Sequence, residues 1–183
     1  MFLLYLSQNI QGEMEFWIWL LTLWPTVVPN LTLVCLCGLV HAYALSCGHY
    51  LGPKVYMALK SNQEDGYSGS TRLHCDLCDA INIMVFSSPA TGSALWHIFR
   101  ATDSSKIRAY IQKFHNCTLD DPIHSQHYYL GPADLERLER LYSVVPYTIH
   151  QKVGEAIFIP AGCAHQVSSS SLIFVSYSLF PGE

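Results

Sequence analysis

The sequence predicts an all-β core of barrel or jelly-roll type with two inserted helices. Short runs rich in Ile, Val, Phe and Tyr recur from about residue 51 onward, as is typical of β-strands. Two stretches whose apolar residues follow helical spacing lie between these runs. Half of the 183 residues are hydrophobic and 13% are aromatic, which indicates one domain with a buried core.

Five strands are predicted from these β-rich runs: Ala80–Phe86, Ala94–Phe99, Tyr147–Gln151, Glu155–Pro160 and Leu172–Phe180. The first helix is expected to begin near Asp103, because aspartate is a common N-cap residue. The second is expected after Gly131-Pro132, because proline is favoured in a first turn. Its apolar stripe is predicted to contain Leu135, Leu138, Leu141 and Tyr142.

The charge and the cysteine content exclude two classes of protein. The formal net charge is −4, and clustered Lys and Arg of the kind that binds nucleic acid are missing from the sequence. No direct nucleic-acid binding is therefore expected. Seven cysteines, an odd number without regular spacing, argue against a disulfide scaffold and favour a reducing compartment.

Residues 1–50 differ in composition from the domain predicted at 51–183. The stretch Phe16–Leu45 contains no Lys, Arg, Asp or Glu, and its length and hydropathy suit a transmembrane segment. Pro25 and Pro29 interrupt it, and each costs a helix hydrogen bond. Three interpretations stay open: a membrane anchor, a buried part of the barrel, and a segment that is not native coding sequence.

A metal site is predicted from His74, Asp76 and His165. If His74 and Asp76 lie in one strand, their side chains point to the same face, and Leu73, Cys75 and Leu77 are expected to point to the other face, into the packing. His165 follows a turn after a buried-looking strand, so it can supply a second imidazole. Two His and one carboxylate leave three positions open, as in non-haem Fe(II) oxygenases, although zinc sites also use three protein ligands.

Other clusters of metal-ligand residue types are better explained without a metal. Cys75 and Cys78 form a C-x-x-C pair, but no suitable second half-site exists, so both are interpreted as small core residues. His115, His124 and His127 are expected to have hydrogen-bonding and packing roles. An isolated His-x-Asp pair is itself more often part of a polar edge strand, so the surrounding sequence has to decide.

That surrounding sequence resembles a known family. The blocks are TRLHCDLCDAINIMVF, ALWHIFRATDSSKIRAYIQKF, DPIHSQHYYL and VGEAIFIPAGCAHQV, in this order. They resemble the JmjC domain of the histone H3 lysine-9 demethylase subfamily over about residues 51–183. The resemblance implies a double-stranded β-helix, a jelly-roll or cupin-like barrel, with Fe(II) and 2-oxoglutarate. It also implies demethylation of methyl-lysine on histone tails, and hence a histone-tail partner and a nuclear location.

Carried over position by position, the resemblance makes His74, Asp76 and His165 the iron ligands and catalytic residues. It makes Thr71 and Asn82 the residues that hold the co-substrate. Strict strand alternation would put Thr71 on the wrong face, so a bulge or turn is required between Thr71 and His74.

The chain departs from the family pattern in one important respect. Many JmjC enzymes pair the distal carboxylate of 2-oxoglutarate with a Lys, but no Lys or Arg lies between Asp76 and Phe99. Arg100, Lys106 and the hydroxyl of Tyr177 are candidate replacements. The domain is expected to be truncated at its C-terminus. Three functions therefore stay open: a histone demethylase, a protein hydroxylase, and a catalytically impaired chromatin scaffold.

Overall fold

The computed structural model describes residues 2–4 and 54–180 of the chain. The strands are β1 (Phe2–Leu4), β2 (Lys54–Ala58), β3 (Thr71–His74), β4 (Asp79–Ser88), β5 (Ala94–Ile98), β6 (Tyr147–Gln151), β7 (Ala156–Ile159), β8 (His165–Ser169) and β9 (Leu172–Phe180). The helices are α1 (Ser104–Phe114), which follows a 3₁₀ turn at Ala101–Asp103, and α2 (Pro132–Tyr142). All five predicted strands and both predicted helices are therefore confirmed.

The apolar stretch Phe16–Leu45 lies outside the described residues, so its three interpretations are not resolved by the structure. Within the described part of the chain, neither helix has the length and apolar character that crossing a membrane requires.

The strands form two antiparallel sheets. The five-stranded sheet has the order β1-β2-β9-β4-β7, and the four-stranded sheet has the order β3-β8-β5-β6. Neighbours in each sheet are often distant in sequence: β9 lies between β2 and β4, and β8 lies between β3 and β5. This connectivity confirms the predicted jelly-roll architecture, in which the strands described here form two facing sheets rather than one closed barrel.

The main core lies between the two sheets. Ala80 and Met84 from β4 pack in the same cluster as Trp96 from β5 and Val167 from β8. Because side chains alternate along a strand, Asn82, between Ala80 and Met84, also faces this interior. Polar residues on the inner faces can therefore meet in the space between the sheets.

A second core lies under the two helices. Phe99, Ile107, Tyr110 and Leu138 are fully buried in it. Leu73 of β3 and two residues of the loop between the helices, Ile123 and Leu130, complete its centre. Leu138 is the buried residue of the predicted α2 stripe, whereas Leu141 is 52% exposed, so its assignment to the stripe is wrong. The apolar face of α2 is narrower than the sequence pattern suggested.

Gln166, in β8, ties the loop before α2 to the four-stranded sheet. It is fully buried, and its side-chain oxygen accepts a hydrogen bond of 2.8 Å from Leu130 N. Its amide nitrogen donates to Leu130 O at 2.8 Å and to His97 Nδ1 at 3.2 Å. Both the oxygen and the nitrogen of this buried amide are therefore hydrogen-bonded. Gln166 directly follows His165 in the chain.

We expect Gln166→Leu to lower the free energy of unfolding by about 3 kcal/mol, because it leaves the buried amide and carbonyl of Leu130 unpaired. Urea denaturation followed by circular dichroism measures this loss. Gln63→Leu at an exposed position is the matched control and should change stability by less than about 0.5 kcal/mol. Equal free energies of unfolding for the two variants would show that the hydrogen bonds between Gln166 and Leu130 do not stabilise the fold.

Candidate metal centre

Strands β3 and β8 bring two histidines together. His74 at the end of β3 lies directly opposite His165 at the start of β8, and Thr71 lies opposite Val167. The register shifts between Thr71 and His74, so the predicted bulge is present. Val167 packs in the core between the sheets, so His165, two residues earlier, and Thr71, its neighbour across the strands, are placed on the same inner face.

Asp76 reaches the site by a different route from the one predicted. Strand β3 ends at His74, so strand alternation does not apply to residues 75–77. Leu77 is accordingly 87% exposed, and its expected place in the packing is wrong. The backbone of Asp76 is fixed instead by Gly162 N, which donates to Asp76 O at 3.0 Å from the β7–β8 loop.

The three predicted ligands converge. One ligand atom from each of His74, Asp76 and His165 lies within 4.8 Å of the other two. Asp76 Oδ2 is 3.7 Å from His165 Nε2, and the two imidazole centroids are 4.2 Å apart. Metal–nitrogen bonds of about 2.1 Å bring neighbouring ligand atoms to roughly 3 Å, so small side-chain rotations suffice to bind one ion. The donor set, two imidazoles and one carboxylate, suits Fe(II).

Backbone carbonyls orient both imidazoles. His74 Nδ1 donates to Arg72 O at 2.7 Å, and His165 Nδ1 donates to Cys163 O at 3.0 Å. In each case the carbonyl belongs to the residue two positions earlier. Because a carbonyl only accepts, both Nδ1 atoms carry a proton, so in the neutral form of each ring the lone pair is on Nε2. Metal-binding histidines are typically held in this way.

His165 is kept neutral by its surroundings. Its side chain is 2% exposed, and its ring stacks on that of Trp96 at a centroid distance of 6.0 Å. Burial, and then the neighbouring His74, lower the pKa of His165 to about 4. A neutral imidazole is the form that binds metal, so protons do not compete for this residue near pH 7.

Acid should destabilise the metal-free chain through His165. Between its ordinary pKa of about 6.5 and the folded value of about 4, the unfolded state binds the proton and the folded state does not. The free energy of unfolding therefore falls as the pH falls through this window. From pH 7 to pH 5 we expect urea denaturation to show a loss about 2 kcal/mol larger for the unmodified chain than for His165→Asn. If the free energies of unfolding of the two proteins changed with pH in parallel, His165 would not be the source of the acid sensitivity.

The predicted co-substrate residues lie on opposite inner faces of the jelly roll. Thr71 is half-buried at the start of β3, and Asn82 is 5% exposed in β4. Across the five-stranded sheet Asn82 is paired with Tyr177 of β9, and Tyr177 is paired in turn with Lys54 of β2. The interior between the sheets is therefore flanked by hydrogen-bonding residues from both sides.

Of the three candidate replacements for the missing basic residue, only Tyr177 lies at the site. Its hydroxyl donates to Asp76 Oδ2, and burial followed by this bond raises the pKa of Tyr177. Arg100 lies over the ring of Tyr147, 5.9 Å from its centroid, and Lys106 pairs with Asp103 at 3.2 Å. Arg100 and Lys106 are thus engaged elsewhere.

Sequence reasoning named Tyr177 as a candidate partner of the co-substrate but did not predict its contact with Asp76, and it missed Gln151 altogether. The contact of Tyr177 with Asp76 joins positions 101 residues apart, and Gln151 donates to Asn82 Oδ1 at 3.2 Å across a separation of 69 residues. Strand alternation could have placed Tyr177 on the inner face of β9, beside Val175. Nothing in the local sequence of Gln151 indicates its partner.

The alternative clusters do not form metal sites among the described residues. Cys75 and Cys78 are free cysteines. Cys75 is partly buried and packs against the core under the helices, as interpreted, whereas Cys78 is only partly buried. His115 Nε2 lies 3.1 Å from Asp134 Oδ1, and His124 Nδ1 lies 3.1 Å from an oxygen of Asp121, which also binds Arg108 at 2.9 Å. These two histidines have the hydrogen-bonding roles predicted for them.

Comparison with known proteins gives a consistent result. The family described as "JmjC domain, hydroxylase" matches residues 67–173, which is more than half of the chain. Lysine-specific demethylase 3A of Homo sapiens is 34% identical over 156 residues, covering 64% of this chain and 12% of that protein. Lysine-specific demethylase JMJ26 of Arabidopsis thaliana is 31% identical over 174 residues, covering 64% of this chain and 20% of that protein.

The chain thus spans only a small part of these relatives, but the region that the family matches includes both imidazoles, the carboxylate and all four strands of the sheet that carries the imidazoles. On this evidence the chain belongs to the JmjC-domain hydroxylase family.

Proposed function

We propose that this chain is the catalytic domain of an Fe(II)- and 2-oxoglutarate-dependent oxygenase that demethylates methyl-lysine on histone tails. The observation that carries the proposal is the convergence of His74, Asp76 and His165 with both Nε2 atoms free to bind metal. The names of the relatives support lysine demethylation as the activity. A histone partner implies a nuclear location.

Each residue of the site has a separate task in this proposal. His74, Asp76 and His165 would hold the ion and leave coordination positions for 2-oxoglutarate and dioxygen. Bound iron would supply the oxidising chemistry, in which 2-oxoglutarate becomes succinate and carbon dioxide and the hydroxylated N-methyl group leaves as formaldehyde. Asn82 and Thr71 bind the co-substrate through hydrogen bonds. Trp96 covers one side of His165 and excludes water from it.

One assay tests the proposed activity. The full chain is incubated with Fe(II), 2-oxoglutarate, ascorbate and a histone H3 peptide carrying methylated lysine 9. Succinate is quantified, and the peptide is analysed by mass spectrometry. The proposal predicts succinate formation together with the loss of about 14 Da, one methyl group, from the peptide. A chain that binds no iron and forms no succinate would contradict it.

The second candidate function is a JmjC relative that binds chromatin without turnover. It is favoured by the engagement of Arg100 and Lys106 away from the site. Metal binding without succinate formation would support this scaffold. Succinate formation with a gain of about 16 Da on an unmethylated peptide would instead indicate a protein hydroxylase.

A further inference from the structure

Gln151, at the end of β6, is a fully buried polar side chain in the interior between the sheets. Its oxygen accepts a hydrogen bond of 2.9 Å from Trp96 Nε1. Its amide nitrogen donates to Asn82 O at 3.1 Å, to Asn82 Oδ1 at 3.2 Å and to Glu155 O at 3.1 Å. Both ends of the amide are therefore used, which offsets the cost of burying it.

The chemistry of Trp96 fixes which way this amide points. An indole N–H can only donate, so it requires the oxygen of Gln151. The NH2 group of Gln151 must then face Asn82 and meet an acceptor there. Asn82 consequently turns Oδ1 toward Gln151, and its own NH2 group points away from Gln151. The indole of Trp96 thus sets the orientation of the Gln151 amide, and the Gln151 amide sets that of the Asn82 amide.

The orientation of Asn82 matters because of its neighbours. Asn82 is paired across the sheet with Tyr177, whose hydroxyl bonds Asp76 of the metal triad. A carboxylate ligand in this interior requires hydrogen-bond donors, and an amide oxygen turned toward it would repel it. The direction of one amide therefore decides whether Asn82 attracts or repels an anionic co-substrate.

We propose that Gln151 is a positioning residue that holds the NH2 group of Asn82 toward the carboxylate of the co-substrate. This inference rests on the proposed function, because it takes Asn82 as a residue that binds 2-oxoglutarate. Gln151 itself does not contact the co-substrate. It acts only through Asn82, and Trp96 acts only through Gln151.

The test uses binding of 2-oxoglutarate to the full chain loaded with Mn(II), measured by calorimetry without turnover. Gln151→Glu keeps the shape and the acceptor for Trp96 but has no NH2 group. Its carboxylate accepts from the NH2 of Asn82 and so turns the amide around. We expect the Kd for 2-oxoglutarate to rise about tenfold or more, with the Kd for Mn(II) unchanged. In turnover, KM should rise while kcat changes little.

Three further single variants and one double variant separate positioning from stability. Trp96→Phe retains Gln151 but releases its orientation, so a smaller rise in the Kd is expected. Asn82→Ala should raise the Kd as Gln151→Glu does, and the double variant Gln151→Glu/Asn82→Ala should be no worse than Asn82→Ala alone. Gln166→Leu removes another fully buried glutamine and is the control for lost stability, with no change in the Kd of the folded protein.

The outcomes are distinguishable from failure of the proposed function. If the unmodified chain binds neither Mn(II) nor 2-oxoglutarate, the proposed function fails. If it binds both, and folded Gln151→Glu and Trp96→Phe bind 2-oxoglutarate as it does, the positioning role of Gln151 is overturned. Additive effects of Gln151→Glu and Asn82→Ala would also overturn it, because they would show that Gln151 acts independently of Asn82.

Discussion

Replacement of Asp76 by alanine is expected to abolish iron binding and succinate formation. Asp76 supplies the carboxylate of the three ligands, and its Oδ2 lies 3.7 Å from His165 Nε2. Without it two imidazoles remain, and an imidazole offers no negative charge to a divalent ion. Loss of an outer residue that only orients a ligand typically weakens metal binding 10- to 100-fold, so loss of the ligand itself should exceed about a hundredfold.

The measurement is a titration of the full chain with Co(II), a spectroscopic substitute for Fe(II), followed by the succinate assay. Asp120→Ala, at an exposed carboxylate, is the matched control and should bind the metal as the unmodified chain does. Melting temperatures without metal should be similar for both variants. Co(II) affinity retained within a few-fold in Asp76→Ala would show that the three residues do not form the metal site.

Local sequence patterns were sufficient for much of the fold and part of the site. Alternating or continuous apolar runs predicted β4 to β7 and β9. A strand that is buried on one or both faces shows this pattern in its own sequence, and the pattern does not depend on which strand pairs with it. The bulge between Thr71 and His74 was expected because the family resemblance placed both residues at the site, whereas strict strand alternation puts them on opposite faces. His165 was expected after a turn that follows a buried strand, and it begins β8 directly after the β7–β8 loop.

The features of the fold and the site that the sequence did not predict depend on contacts between distant segments of the chain. The sequence pattern placed Asp76 in a strand, but β3 ends at His74 and the β7–β8 loop holds Asp76 through Gly162. The pairing of β9 with both β2 and β4 puts Tyr177 beside Asn82, and no local pattern encodes such a pairing. For the polar residues that complete the site, local periodicity can therefore indicate a face of their own strand but not their partners in the other sheet.

Tyr177 is the residue of this kind whose loss should matter most for the metal. It reaches from the five-stranded sheet to Asp76, which follows β3 of the other sheet, so it links the two halves of the jelly roll at the metal centre. Its hydroxyl donates to the same oxygen of Asp76 that faces His165. A donor in this place holds the carboxylate in one rotamer before the metal arrives, which lowers the entropic cost of binding.

We expect Tyr177→Phe to weaken Co(II) binding by about 10- to 100-fold, the usual effect of removing a hydrogen bond that orients a metal ligand. The fold should persist, because a phenylalanine ring retains the edge-to-face contact with Tyr56 at a centroid distance of 5.6 Å. Tyr147→Phe, at a 57% exposed position, is the matched control and should leave Co(II) affinity unchanged. If Tyr177→Phe lowers the melting temperature but binds Co(II) as tightly as the unmodified chain, Tyr177 supports packing and does not orient Asp76.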